Sequence, residues 1–208
     1  MTVDTLVTIA LPVLFLLMMA LEAVIGTGRV MPDVRGWRLI GIAAFLVTFA
    51  CNGLMPMVLL PLLPKATLLD LGSLGLWAAI PVVILTTFFT YWTHRIQHRF
   101  DVLWRLGHQL HHGVARVDIA SAMLFHPVDV AVQVTMTLLA GLLLGATPEA
   151  AAVAGGLGFF IALFQHWNIS TPRWMGLIIQ RPEAHMLHHE RDVHARNFGD
   201  MPVWDMIF

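Results

Sequence analysis

Apolar residues fall into long blocks almost free of charge, separated by short stretches that hold nearly all of the arginines and histidines. Residues 6–25 form one block, with Glu22 near its end as the only charge. At about 1.5 Å per helical residue, a run of roughly 20 residues covers the roughly 30 Å hydrocarbon core of a bilayer. Residues 39–63 predict a longer span, kinked at Pro56 and Pro61. Residues 71–92 predict a third, interrupted only by Pro81. Residues 128–146 and 150–165 predict a helical hairpin closed by the Thr147-Pro148-Glu149 turn. No alternating strand pattern appears, and the histidines recur at three- and four-residue spacing, so the polar stretches are expected to be helical as well. The fold class predicted is all-α: a polytopic bundle of about four to five transmembrane spans under a histidine-rich helical cap.

Composition agrees with the pattern. The chain is 58% hydrophobic and 12% charged, against roughly 25% charged residues in a soluble domain. A cleaved signal peptide is the alternative for the first block. A signal carries a basic start, whereas Asp4 is the only charge before residue 6, so a retained span is expected. No repeat, low-complexity tract or linker is visible, so residues 1–208 read as a single membrane domain. Cys51 is the sole cysteine, which excludes a disulfide framework and a cysteine-based zinc or iron–sulfur site. Any metal must be held by histidine.

The basic residues are one-sided. Arg29, Arg35 and Arg38 follow the first block; Arg95, Arg99, Arg105 and Arg116 follow the third; Arg173, Arg181, Arg191 and Arg196 lie in the tail. Only Lys65 falls in the opposite loops. With five crossings, the positive-inside rule predicts a cytoplasmic arginine-rich side, which also carries the histidines, and an external N-terminus.

Eight histidines sit in three short boxes. The first, His94-Arg-Ile-Gln-His98, begins where the third span meets the interface at Tyr91-Trp92. Its two rings project from one helix face. The second is His108-Gln-Leu-His111-His112, and the third, His185-Met-Leu-His188-His189, repeats that spacing. A lone histidine is usually a hydrogen-bonded or surface residue. Eight gathered imidazoles would repel if protonated and would need a full set of partners if buried neutral, whereas metal ions satisfy neutral imidazole lone pairs directly. His166, at the end of the fifth span, reads either as a further ligand or as a donor behind one. His126 reads as an interface or pocket residue, and His194 as solvated.

Box one after Tyr91-Trp92, box two behind Leu103-Trp104, the Phe125-His126-Pro127 and Gln165-His166-Trp167-Asn168 steps, box three, Asn197-Phe198-Gly199 and Trp204-Asp205 together resemble the fatty acid hydroxylase superfamily, also called the sterol desaturase family. The resemblance covers roughly residues 85–208, the expected catalytic region. It implies a non-haem di-iron centre that uses dioxygen and two external electrons to hydroxylate or desaturate a fatty acyl, sterol-like or carotenoid lipid. It assigns as ligands His94, His98, His108, His111, His112, His185, His188 and His189, with His166 as an addition. The implied cofactor is two iron ions, with zinc or nickel able to take their place on purification. The implied partners are a bilayer lipid and a separate ferredoxin- or cytochrome-type electron donor with its reductase, and no nucleic acid is expected. Asp192, Glu190 and Asn168 are the expected orienting neighbours of the ligand rings. The resemblance also implies a phenylalanine–glycine–threonine-like segment beyond Trp204-Asp205, which bears on how box three is held; the chain ends at Phe208.

Three other classes compete. A non-catalytic metal carrier or transporter would need ionisable residues within the spans, and Glu22 is the one that stands out. A zinc hydrolase would show a His-Glu-x-x-His motif, which the boxes lack. A di-haem cytochrome would place single histidines deep in facing spans.

Overall fold

The computed structural model describes residues 1–25 and 29–208. Among them the chain is all-helical, with no strand. Five long helices form the bundle: α1 (Val3–Ile25), α2 (Trp37–Leu59), α3 (Ala79–Arg99), α6 (Pro127–Leu143) and α7 (Pro148–His166). Four short helices complete the cap: α4 (Asp101–Leu103), α5 (Gln109–His112), α8 (Pro182–His188) and α9 (Val203–Ile207). Helix α3 packs between α6 and α7, while α1 lies on α7 and α2 on α6. The two outer helices meet through the stacked rings of Phe15 and Phe45, 4.5 Å apart. Leucines such as Leu17 and Leu54 stay exposed on α1 and α2, as expected of a surface that meets lipid rather than water.

The expected blocks become helices with physically sensible ends. The second span ends in a tighter turn at Leu60–Leu62, where Pro61 forbids continuation of the α-helical bonding. The third begins as a similar tight turn at Gly72–Ala78. It then runs without a break past the Tyr91-Trp92 step, so box one is the last part of α3. The hairpin forms as predicted, with the Thr147 hydroxyl accepting from Ala150 N–H at the start of α7.

Four helical stretches are long and apolar enough to cross a membrane: Val3–Ile25, Trp37–Leu62, Gly72–Arg99 and Pro148–His166. Helix α6 has only 17 residues, about 25 Å. Even so, it runs the length of the bundle. It starts beside the histidines, and at its far end the carbonyls of Leu143 and Leu144 accept from the Leu68, Leu69 and Leu71 amides between α2 and α3.

One feature of the core has no counterpart in the hydropathy pattern. Residues 118–125, between box two and α6, run in irregular conformation down the crevice between α1 and α2. Glu22 accepts from Ile119 N–H, Thr48 donates to the Met123 carbonyl at 2.9 Å, and a Cβ on Gly41 would collide with the Ala120 backbone. Thr48 lies about 16 Å along α2 from its start, so this backbone sits well inside the bundle. Irregular backbone is tolerated at such depth only when enclosed in protein and internally bonded. The Asp118–Ser121 turn, which exchanges four hydrogen bonds, meets that condition.

Candidate metal centre

Helical phase sorts the histidines into two groups. His94, His98, His108, His112 and His188 form one, and His111, His166, His185 and His189 the other. Within each group one nitrogen per ring lies within 4.8 Å of the others. The nine are the set named from the sequence, His166 included. Rings four residues apart on a helix share a face, so His94/His98 and His108/His112 serve the first group and His185/His189 the second. The second histidine of boxes two and three, His111 or His188, turns to the other group. Boxes two and three therefore each supply both groups, box one supplies only the first, and the repeated spacing acquires a geometric purpose.

The second box gets its orientation from a widened turn over Trp104–His108, closed by Gln109 N–H to the Trp104 carbonyl. Such π-type turns shift the helical phase, and here the shift brings His108 against α3 and α6. The third box depends on a left-handed turn. Arg196 and Asn197 both have φ of 56°, a conformation costly for residues with a Cβ. It aims the Arg196 carbonyl at His188 Nδ1 (2.9 Å) and the Phe198 carbonyl at His94 Nδ1 (2.8 Å). Asn197 holds the turn by donating to the Ala184 carbonyl. Asp205 holds it from below, accepting from the Phe198 and Gly199 amides at 2.9 and 2.8 Å. Box three is thus fastened through Asp205, while Phe208 is tied to α3, its carbonyl accepting from Arg95.

Tautomers follow from these contacts. A carbonyl only accepts, so His94 and His188 carry their protons on Nδ1, and each neutral ring then presents a bare lone pair at Nε2. Those two Nε2 atoms face each other at 2.9 Å, and His98 Nε2 is 3.2 Å from His94 Nε2. Lone pairs converging at such distances require a cation between them. Protonation is a poor solution: burial, reinforced by neighbouring imidazoles, holds His111, His112, His185 and His189 well below the usual histidine range. Burial holds His188 at about 3, against the opposing pull of the Arg196 carbonyl. His166 donates from Nδ1 to the Ala162 carbonyl, leaving Nε2 bare in the second group. Nitrogens of His108, His111, His112, His166, His185 and His189 are buried with no hydrogen-bond partner. Buried polar atoms are rarely left so, and neutral imidazoles arranged this way fit transition-metal ions.

The surroundings of the rings differ from expectation. Glu190 pairs with Arg196 at the surface, Asp192 is exposed in a left-handed turn, and Asn168 ties the chain to Glu22 and to the Arg29 carbonyl. The ring nitrogens are instead oriented mainly by backbone carbonyls and by Asp129, which accepts from His108 Nδ1 at 2.8 Å. Asp129 escaped the sequence reading because it lies within an apolar block, although a carboxylate there is itself a signal. It also corrects the view that Glu22 stands alone among ionisable residues in the spans. His194 is exposed as expected, but it is not merely solvated: its Nδ1 lies 3.1 Å from His98 Nδ1 and its ring packs on Trp104. His126 is an exposed cap whose Nδ1 accepts from Val128 N–H at the start of α6, not a pocket residue. Half-buried Asp200 accepts from Gln165 and Thr90, and desolvation pushes its carboxyl up.

Residues 79–208, more than half of the chain, match the fatty acid hydroxylase family. The chain belongs to that family. It is 29% identical over 129 residues to the ornithine lipid hydroxylase OlsE of Rhizobium tropici, a stretch covering 60% of this chain and 39% of that protein. It is 27% identical over 139 residues to the alkylglycerol monooxygenase of Homo sapiens, covering 64% of this chain and 30% of that one. The chain therefore matches well under half the length of either relative. No solved structure matches it significantly. Family membership and the four apolar helices together identify a multi-pass membrane protein.

Proposed function

We propose that the chain is a membrane-bound di-iron oxygenase that hydroxylates a lipid. His94, His98, His108, His112 and His188 hold one ion, and His111, His166, His185 and His189 hold the other. The observation that carries this reading is the convergence of bare, buried imidazole nitrogens into two groups at the end of a membrane bundle. Hydroxylation balances as one lipid C–H bond and O2, with two electrons and two protons, giving a C–OH group and water. Bound iron would supply the redox chemistry with dioxygen that acid–base side chains lack and that redox-silent zinc cannot provide. The protein's share is to keep the rings neutral and oriented and to screen them from water, as Phe125 does by stacking on His111 at 4.2 Å.

The relatives' names, a hydroxylase of ornithine lipid and a monooxygenase of alkylglycerol, favour oxygen insertion over desaturation. The substrate class is accordingly an acyl or alkyl chain of a bilayer lipid, entering from the membrane. Electrons come from a separate ferredoxin- or cytochrome-type donor. The arginine bias supports a cytoplasmic histidine cluster and an external N-terminus. Lipid extracts of cells with and without the chain, grown under 18O2, test the reading. A lipid class gaining one 18O atom only when the chain is present, and not with H111A, is expected. Identical lipid profiles from cells that hold the metal-loaded protein would refute it.

A further inference from the structure

The two histidine groups are not equivalent, and the difference lies in Asp129. Its side chain is in the first turn of α6 and is 1% exposed. One carboxylate oxygen accepts from His108 Nδ1 and the other from Gln97 Nε2 at 3.1 Å. No arginine or lysine pairs with it among the described residues. A buried carboxylate without a cation is costly. Here its one titratable partner is His108, whose opposite nitrogen is buried, unpartnered and turned into the five-histidine group. His94, His166 and His188 rest on neutral carbonyls instead. A carboxylate behind a ligand imidazole raises the ring's basicity and fixes its tautomer, and loss of such a partner typically weakens metal binding 10- to 100-fold.

We propose that Asp129 is a positioning residue for His108 that makes the five-histidine group the tighter of two metal sites, filled before the four-histidine group. The proposal rests on the metal reading given above. It adds an order of filling and the residue that sets it: five donors, one of them hydrogen-bonded to a carboxylate, against four donors that, among the described residues, have no carboxylate hydrogen-bonded to a ring. Asp129 also joins α6 to α3 through Gln97, so a purely structural role is the competing explanation.

The test is a titration of the full-length, detergent-solubilised apoprotein with Co2+, in competition with a chelator and followed by visible absorption. Wild type should show two steps of unequal affinity. H166A should remove the weak step and spare the tight one. D129N keeps the shape but loses the charge; it should weaken the tight step by about 10- to 100-fold and leave the weak step and the helical circular dichroism unchanged. Equal weakening of both steps, or none, in folded D129N would overturn the proposal. If D129N loses its helical signal, H108A and H111A decide the order. Loss of the tight step in H108A supports the proposal, and its loss in H111A overturns it. A wild-type chain that binds no Co2+ would refute the metal reading itself, and this inference with it, a result distinct from two steps in the wrong order.

Discussion

Replacing Asp205 with alanine should loosen the metal centre from a distance. The carboxylate touches no histidine, but it fixes the Phe198 and Gly199 amides, and the Phe198 carbonyl in turn sets the tautomer of His94. Hydrogen bonds to a charged acceptor contribute about 1.5–3 kcal/mol each. Asp205 is only half-buried, so water can replace part of the loss, and roughly 2 kcal/mol is the expected net cost for the pair. If that cost falls on local opening of the turn, exchange of the two amides should accelerate about 30-fold. The left-handed Arg196-Asn197 turn depends on its neighbours to hold it, which directs the cost there rather than to the whole bundle. Hydrogen exchange read by mass spectrometry on peptides spanning residues 194–202 measures this, with peptides from α7 as the control. The apoprotein should show the change, since the bonds are within the chain. Unchanged protection in that segment, or equal acceleration throughout α7, would refute the view of Asp205 as a local fastener.

H111A and H188A should each lower metal content and oxidation together while leaving membrane insertion intact, whereas H194A, which touches His98 only from the exposed side, should do much less; elemental analysis, expected near two ions per wild-type chain, decides between them. The apoprotein should lose stability as pH falls from about 6.5 toward 3, because the unfolded chain takes up protons over that window while folded His188, held at about 3, does not. Thermal melts across that range check the sign, and bound metal should oppose the loss in proportion to its occupancy. G41L should destabilise the bundle, since the new side chain displaces the Ala120 backbone from α2; an unchanged melting temperature would contradict that packing. In a Cys51-free background, single cysteines near residues 33 and 115 and in the tail should label only from the cytoplasm, and those near 66 and 148 only from outside; outside labelling at 115 would overturn the orientation.

The bundle and the nine histidines were legible because each leaves a one-dimensional trace. Spans announce themselves by length and hydropathy, and ligand pairs by four-residue spacing on a helix. What the sequence could not convey was phase. The placing of box two against α3 and α6 depends on a widened turn at Trp104–His108, and the aim of His188 on two left-handed residues, neither of which spacing encodes. The orienting groups were illegible for a related reason. Three of them are backbone carbonyls, present at every position and informative only once the chain is folded.

Asp129 is different, because its trace was present and was averaged away. In a window dominated by valine and leucine, one carboxylate barely lowers the mean hydropathy, yet on insertion scales it costs about 2.5–3.5 kcal/mol near a helix centre. Its position in the first turn of α6, beside the amide-bearing end of the helix, eases that cost, and His108, Gln97 and Gln133 supply further polar contacts. The same reasoning separates Asp129 from Glu22. Both are carboxylates inside apolar helices, but Glu22 spends its oxygens on the Ile119 and Asn168 amides, which brace the segments following box two and His166. Asp129 spends one on a ring that faces the metal groups. An isolated acidic residue in a span therefore becomes informative through its acceptor geometry: backbone amides indicate a brace, and an imidazole with its far nitrogen bare indicates the place where an ion completes the charge balance.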